Sequence, residues 1–219
     1  MISQPVSEPI SALNKIRISE CGEPLVDLRV HCPTIFVRPD IGLPYVRLGV
    51  GDRLNEAQTR LSPGQRIFVH RALRTLDMQR DHWDEYKSEL RSKHPKWPKS
   101  VLHRQVNCYF APYDQTAPPG HCTGAAVDIY LTDERGIKLD LVSPFKDWEA
   151  ALTRKNGLSP IAANNRYCML NAMLGSGFSN CKDEFWHYSY GDSAWAVRCG
   201  ETQCQYGLIN HLELMQQNT

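Results

Sequence analysis

Apolar positions along the chain change their period several times, and each change marks an expected element. Glu23-Pro-Leu-Val-Asp-Leu-Arg-Val30 alternates apolar and polar residues, which predicts an early strand. Leu54 to Leu61 predicts a short helix, closed by the turn residues Ser62-Pro-Gly-Gln65, and Arg66 to His70 predicts a short strand. Leu76, Trp83, Tyr86 and Leu90 then recur at helical spacing with charged residues between them. That helix is expected to end near His94-Pro95, because proline disfavours a helical residue before it. The basic, proline-broken stretch from Lys93 to Gln105 reads as a surface loop. Ala125 to Leu131 predicts a buried strand, turning back at Asp133-Glu-Arg-Gly136. A second long helix is expected from Asn164 to Leu174, with Tyr167, Leu170 and Leu174 on one face and Gly175 at its C-terminal cap. Two further strands, Phe185 to Tyr188 and Ala194 to Cys199, are expected around a turn at Tyr190-Gly-Asp192. Helices with mostly antiparallel strands and no regular βαβ rhythm predict an α+β fold, a central sheet flanked by helices.

Composition narrows this picture. A chain of 219 residues supports one substantial core rather than two full-sized domains. The polar stretch of residues 1–19 reads as an N-terminal arm and residues 20–219 as a single domain. With a formal charge of +1 and no basic block, the sequence gives no support to nucleic-acid or anionic-membrane binding. The first twenty residues lack a continuous apolar segment, and no apolar run approaches the length that spans a bilayer, so a soluble cytoplasmic protein is expected. The eight cysteines form no CxxC pair and are expected to be mostly reduced, buried thiols acting as small hydrophobes. One or two disulfides are the alternative in an oxidising compartment.

One residue stands out against its surroundings. Asp128 interrupts an apolar strand, and a buried charge must be paired, neutralised or bound to a metal. His121 precedes it by seven residues, after a proline-glycine turn, and Glu184-Phe-Trp-His187 lies far downstream. Each pattern alone is common: His121 can be a turn histidine bonded to backbone, Asp128 a salt-bridge partner, and Glu184 and His187 exposed strand residues. Together, two imidazoles and a carboxylate match the ligand set of a catalytic zinc that leaves one position open. Glu184 is then a carboxylate three residues from a ligand, placed to exchange protons with water.

These residues carry a resemblance. His121-x-x-Gly124-x-Ala126-x-Asp128 followed by Glu184-x-Trp186-His187 is similar to the D-alanyl-D-alanine dipeptidases, the VanX-type zinc peptidases related to DD-carboxypeptidases and to the Hedgehog signalling domain. The Tyr-Ser-Tyr-Gly-Asp192 and Trp195 tail, the Arg74-Thr-Leu-Asp-Met-Gln79 segment and Cys21-Gly-Glu-Pro-Leu-Val-Asp27 extend the likeness over about residues 20–200. The resemblance implies a Hedgehog/DD-peptidase-like fold and one Zn2+ held by His121, Asp128 and His187. It further implies Glu184 as general base and acid, Arg74 beside the scissile carbonyl, and a small dipeptide as partner. Trp186 is expected to pack behind His187 or to meet substrate.

The sequence also departs from that family. Pro119 replaces a serine two residues before the first ligand, and Leu73 replaces the aromatic before the arginine. The aspartate that takes the substrate ammonium in the dipeptidases follows a phenylalanine directly; here Lys146 follows Phe145, and Asp147 comes one residue later. Asp147 is therefore the expected ammonium partner only if the chain bulges locally. The departure keeps two alternatives open: a repurposed enzyme using two histidines and a carboxylate to hold iron, and a non-catalytic metal-binding module. Cys122, beside a ligand, is either reactive or a small filler.

Overall fold

The computed structural model describes residues 8–210. In chain order its elements are α1 (Ile10–Leu13), β1 (Arg17–Ile18), β2 (Leu25–Asp27), α2 (Leu28–His31), β3 (Phe36–Val37), β4 (Tyr45–Arg47) and α3 (Leu48–Thr59). β5 (Arg66–Arg71), α4 (Leu76–Lys93), α5 (Lys99–Val106), β6 (Ala126–Thr132) and α6 (Pro160–Gly175) follow. β7 (Ser179–Asn180), β8 (His187–Ser189), α7 (Ser193–Cys199) and β9 (Gln203–Cys204) complete the order. The central sheet runs β3-β5-β6-β8-β7, with β3 parallel to β5 and every other pairing antiparallel. The fold is α+β, as expected.

The period of two in β5 and β6 gives this sheet two different faces. Ile67 and Val69 of β5, and Val127, Ile129 and Leu131 of β6, point into the main core. They pack there with Val50 and Leu54 of α3 and Met169 and Met173 of α6. Their strand neighbours Asp128, on β6, and His70, on β5, fall on the other face. A second cluster of Trp83, Leu90, Leu102 and Val106 packs α4 against α5.

Four expectations are corrected. Residues 93–105 are not all loop: α5 begins after Pro98, where a proline suits a helix start. Leu102 and Val106, four apart on that helix, are fully buried, and the surrounding lysines hid that pair. Ala194–Cys199 is helix rather than strand: Asp192 caps it by accepting from the Trp195 amide at 2.7 Å, and Gly200 closes it at φ 76°. The early strand is only Leu25–Asp27, because Asp27 accepts from the Arg29 amide at 2.8 Å and starts α2 instead. In α6 the expected face is the outer one, with Tyr167 and Leu174 exposed, and the cap is Ser176 rather than Gly175.

Inside that helix the buried residues include a cation. Arg166 donates to the carbonyls of Leu141, Leu152 and Ala150 at 2.6, 2.8 and 2.6 Å, and lies 3.7 Å over the Phe185 ring. It ties the 140–152 segment to the helix, close to the turn that carries Glu184. Arg166→Met leaves three carbonyls without their donor. At roughly 1–3 kcal/mol for each unsatisfied group, it is expected to cost about 3–5 kcal/mol of stability, read from urea unfolding. A loss under about 1 kcal/mol would show that water replaces the guanidinium.

The N-terminal region is not a loose lead-in where it is described. β1 pairs in parallel with β9, Arg17 opposite Gln203, and Glu8 forms an ion pair with Arg198 at 2.8 Å; residues 1–7 lie outside the described part. All eight cysteines are free thiols. Among the described residues no helix is long and apolar enough to cross a membrane.

Candidate active site

Asp128 lies on the sheet face opposite Val127 and Ile129, which answers why a carboxylate interrupts that strand. Across the β6–β8 ladder it stands directly opposite His187, and across β5 it is opposite Arg71, where the register shifts between Val69 and Arg71. Such a bulge bends an edge of the ladder and re-aims nearby side chains. His121 arrives from the 3₁₀ turn Gly120–Thr123 just before β6. That turn ends on Gly124 at φ 71°, a left-handed conformation that disfavours side chains, and a Cβ there would meet Leu25 Cδ2 at 3.0 Å. Arg47, fully buried, secures the turn by donating from its backbone N to the Gly124 carbonyl and from Nε to the Thr123 carbonyl. Its part in the site was not legible in the sequence.

The structure brings His121, Asp128 and His187 together, with one potential ligand atom from each within 4.8 Å of the others. His187 Nδ1 and His121 Nε2 lie 3.0 and 3.3 Å from Asp128 Oδ1. The two imidazoles meet nearly edge to face, centroids 5.0 Å apart. His121 Nδ1 is 2.8 Å from the Ala72 carbonyl; donating a proton there fixes the tautomer and leaves the Nε2 lone pair facing the cluster. Burial opposes charge on Asp128, but His121 and His187 hold its carboxyl well below the usual range. Burial also pulls His121 down, whereas for His187 the hydrogen bond and charge of Asp128 outweigh burial and raise it. An ionised oxygen and two imidazole nitrogens converging on one point suit a divalent cation of borderline softness, so the donor set fits zinc.

Arg74 and Glu184 line the same cavity of about 280 Å³. Arg74 is held in place: its amide donates to the His121 carbonyl at 3.0 Å, and Nη1 donates to Gln79 Oε1 at 3.0 Å. Gln79 is itself locked to the Ala111 carbonyl at 2.9 Å. Nη2 lies 3.8 Å from Asp128 Oδ2, and Nε is buried with no partner among the described residues. Burial pushes the Glu184 carboxyl up to about 7, against the pull of His187 and Arg74. Trp186 lines the cavity too and packs edge-on against Trp148 and Phe185.

Asp147 is not brought to the cavity. It opens a 3₁₀ turn at φ 44°, and both it and Lys146 are exposed outside the lining. No local bulge inserts the carboxylate, because the segment is anchored on Arg166 behind it. Cys122 is buried, its thiol pushed up to about 12 by burial, and so behaves as a filler.

Two imidazoles and a carboxylate converging on one point, with a half-buried carboxyl and a fixed guanidinium in the same cavity, define a class: the single-metal hydrolases. Comparison with known proteins makes the assignment specific. The family model for D-Ala-D-Ala dipeptidases matches residues 62–205, more than half of the chain, and the protein belongs to that family of metallopeptidases. A D-alanyl-D-alanine dipeptidase of Synechocystis sp. is 28% identical over 86% of this chain and 90% of its own length. One of Escherichia coli is 33% identical over 37% of this chain and 42% of its own length. Among solved structures, VanYB in complex with D-alanine-D-alanine is similar at a TM-score of 0.45 and 16% identity, covering 80% of this chain and 83% of that one. A VanY D,D-pentapeptidase in complex with Zn(II) is similar at 0.46 and 14% identity, covering 86% and 96%.

Proposed function

We propose that this protein is a zinc-dependent dipeptidase that hydrolyses D-Ala-D-Ala or a closely related short dipeptide in the cytoplasm. The observation that carries the reading is the convergence of His121, Asp128 and His187 in one cavity with Glu184 and Arg74. Eight free thiols support a reducing compartment.

His121, Asp128 and His187 would hold the ion, which supplies a Lewis acid that polarises the scissile carbonyl and makes water acidic enough to react near neutral pH. Glu184 accepts a proton from the attacking water at a carboxylate oxygen and returns it to the leaving amine nitrogen, so that no charge accumulates on either. A carboxyl poised near 7 suits both transfers. Arg74 donates towards the substrate oxygen that gains negative charge as the carbonyl becomes tetrahedral. Gln79 keeps the guanidinium from collapsing onto Asp128. The rings of Trp148 and Trp186 form an apolar wall of the same cavity, which lowers the local dielectric and strengthens these interactions.

Glu184 and Arg74 are parts a hydrolase uses, which leaves the iron-oxygenase and non-catalytic readings without an observation of their own. Zinc-loaded protein is expected to release D-alanine from D-Ala-D-Ala; a chelator should abolish the release and added zinc restore it. Activity that survives complete removal of metal would refute the reading, as would a zinc-replete protein without turnover on D- and L-configured dipeptides.

A further inference from the structure

A free dipeptide is a zwitterion, and a partly dry cleft must offer a counter-charge to each end. Five carboxylates line the cavity, and four are committed. Asp128 is shared between the two imidazoles, Glu184 is the proposed base, and Glu8 is paired twice with Arg198, through Nε at 2.8 Å and Nη2 at 2.9 Å. Asp192 caps α7 through Oδ1; its Oδ2 also lacks a hydrogen-bond partner, but it is sealed against Gly120, where a Cβ would come within 2.5 Å, and at 1% exposure the residue is out of a ligand's reach.

Asp183 is the remaining one. It makes no side-chain hydrogen bond or ion pair among the described residues, its Oδ1 is buried without a partner, and the side chain is only half-buried, so a ligand can reach it. The arginines divide the same way. Arg74 is tied to Gln79 and Arg198 to Glu8, whereas Arg71 is exposed at the cavity wall and its side chain makes no hydrogen bond or ion pair among the described residues.

We infer that Asp183 anchors the substrate's ammonium and Arg71 its carboxylate, so that the pair selects a free, unblocked dipeptide. The assignment rests on the dipeptidase reading above. It also replaces Asp147, which the fold leaves outside the cleft, and makes the displaced Lys146 irrelevant to the amine.

Sheet order supports the pairing. Arg71 ends β5, and Asp183 lies in the turn between β7 and β8, so the two flank the β6–β8 pair that carries Asp128 and His187. Two to three strand spacings separate them, about 10–14 Å. Two extended residues span about 7 Å, and the Arg71 and Asp183 side chains cover the difference. Beyond Asp183 a second cavity of about 810 Å³ continues the cleft, lined by Asp183 and Glu184 as well as Tyr109, Trp148 and Leu152. An N-acyl group therefore has room. Discrimination against it has to come from the unpaired carboxylate rather than from a wall.

The test compares kcat/KM of zinc-loaded protein on D-Ala-D-Ala, its N-acetyl derivative and its C-terminal amide. Asp183→Asn is expected to reduce the preference for the free over the N-acetylated substrate by about tenfold to a hundredfold, while the preference over the amide is retained. Arg71→Gln should show the reverse pattern. Calorimetric binding of a non-hydrolysable phosphinate analogue, free or N-acetylated, reads the same ratio without turnover. Preferences that stay at wild-type values, or that fall together in both variants as a structural defect would cause, overturn the anchors. Loss of turnover and of analogue binding in the wild type overturns the dipeptidase reading and the anchors with it.

Discussion

Glu184→Gln is expected to lower kcat on D-Ala-D-Ala by about 10²–10⁴-fold with the zinc content of the parent unchanged. Glutamine keeps the size and one hydrogen-bonding oxygen but can neither take a proton from water nor return it to the amine. The surroundings make this substitution informative. Phe185 is buried, and the Glu184 backbone amide donates to the Cys181 carbonyl, so the local fold does not depend on the carboxylate. Removing a half-buried acid whose pKa burial has raised to about 7 also relieves a desolvation cost, and the variant should be at least as stable as the parent. Steady-state kinetics with zinc content measured on the same sample decides the matter; kcat within about fivefold of the parent would remove Glu184 from the proton path.

The second large effect is on the metal. Asp128→Ala takes away the one anionic donor and leaves two buried imidazoles facing an empty position. Loss of a partner behind a ligand typically weakens metal binding about 10–100-fold, and loss of the ligand itself should exceed that, so zinc affinity is expected to fall by at least about a hundredfold. Competition against a chromophoric chelator measures it. The sign of the stability change separates this role from a simple ion pair. Without metal, Asp128 offsets the charge of His187 and Arg74, so the metal-free variant should be less stable than metal-free parent. Affinity within tenfold of the parent would mean that the ion, if bound, is held elsewhere.

The sequence made the ligand residues legible because their spacing is set by chemistry. A strand can turn Asp128 away from Val127 and Ile129 only by its period of two, and a glycine after the histidine turn is needed for φ 71°. Long elements were legible for a similar reason: α4 repeats its apolar positions over five turns and ends two residues before the proline at 95, as expected. Short elements were not. In α5 two leucine-like positions, Leu102 and Val106, are outnumbered by charge, and in α7 the capping Asp192 and Gly200 carry the helical signal that Trp195 and Val197 obscure. Arg47 and Arg166 were missed because burial of an arginine depends on carbonyls brought from distant segments. The location of Asp147 depended on the same thing: its neighbours in sequence suggested a binding loop, and the Arg166 anchor behind them holds that loop elsewhere.

Contacts between segments far apart in sequence set a clock for this cleft. Glu8 and Arg198 are 190 positions apart, and the β1–β9 pairing is almost as distant. Glu8 and Arg198 line the cavity, so the wall on that side depends on a contact of high sequence separation, which pays a large loop-closure cost. At ribosomal speeds of about 5–20 residues per second, roughly 10–40 seconds pass between synthesis of the two partners. A nascent chain thus carries Asp128 and His121 long before it has the rim, the base or the third ligand. The metal-binding and proton-transferring side chains can therefore meet only after residue 187 has been made.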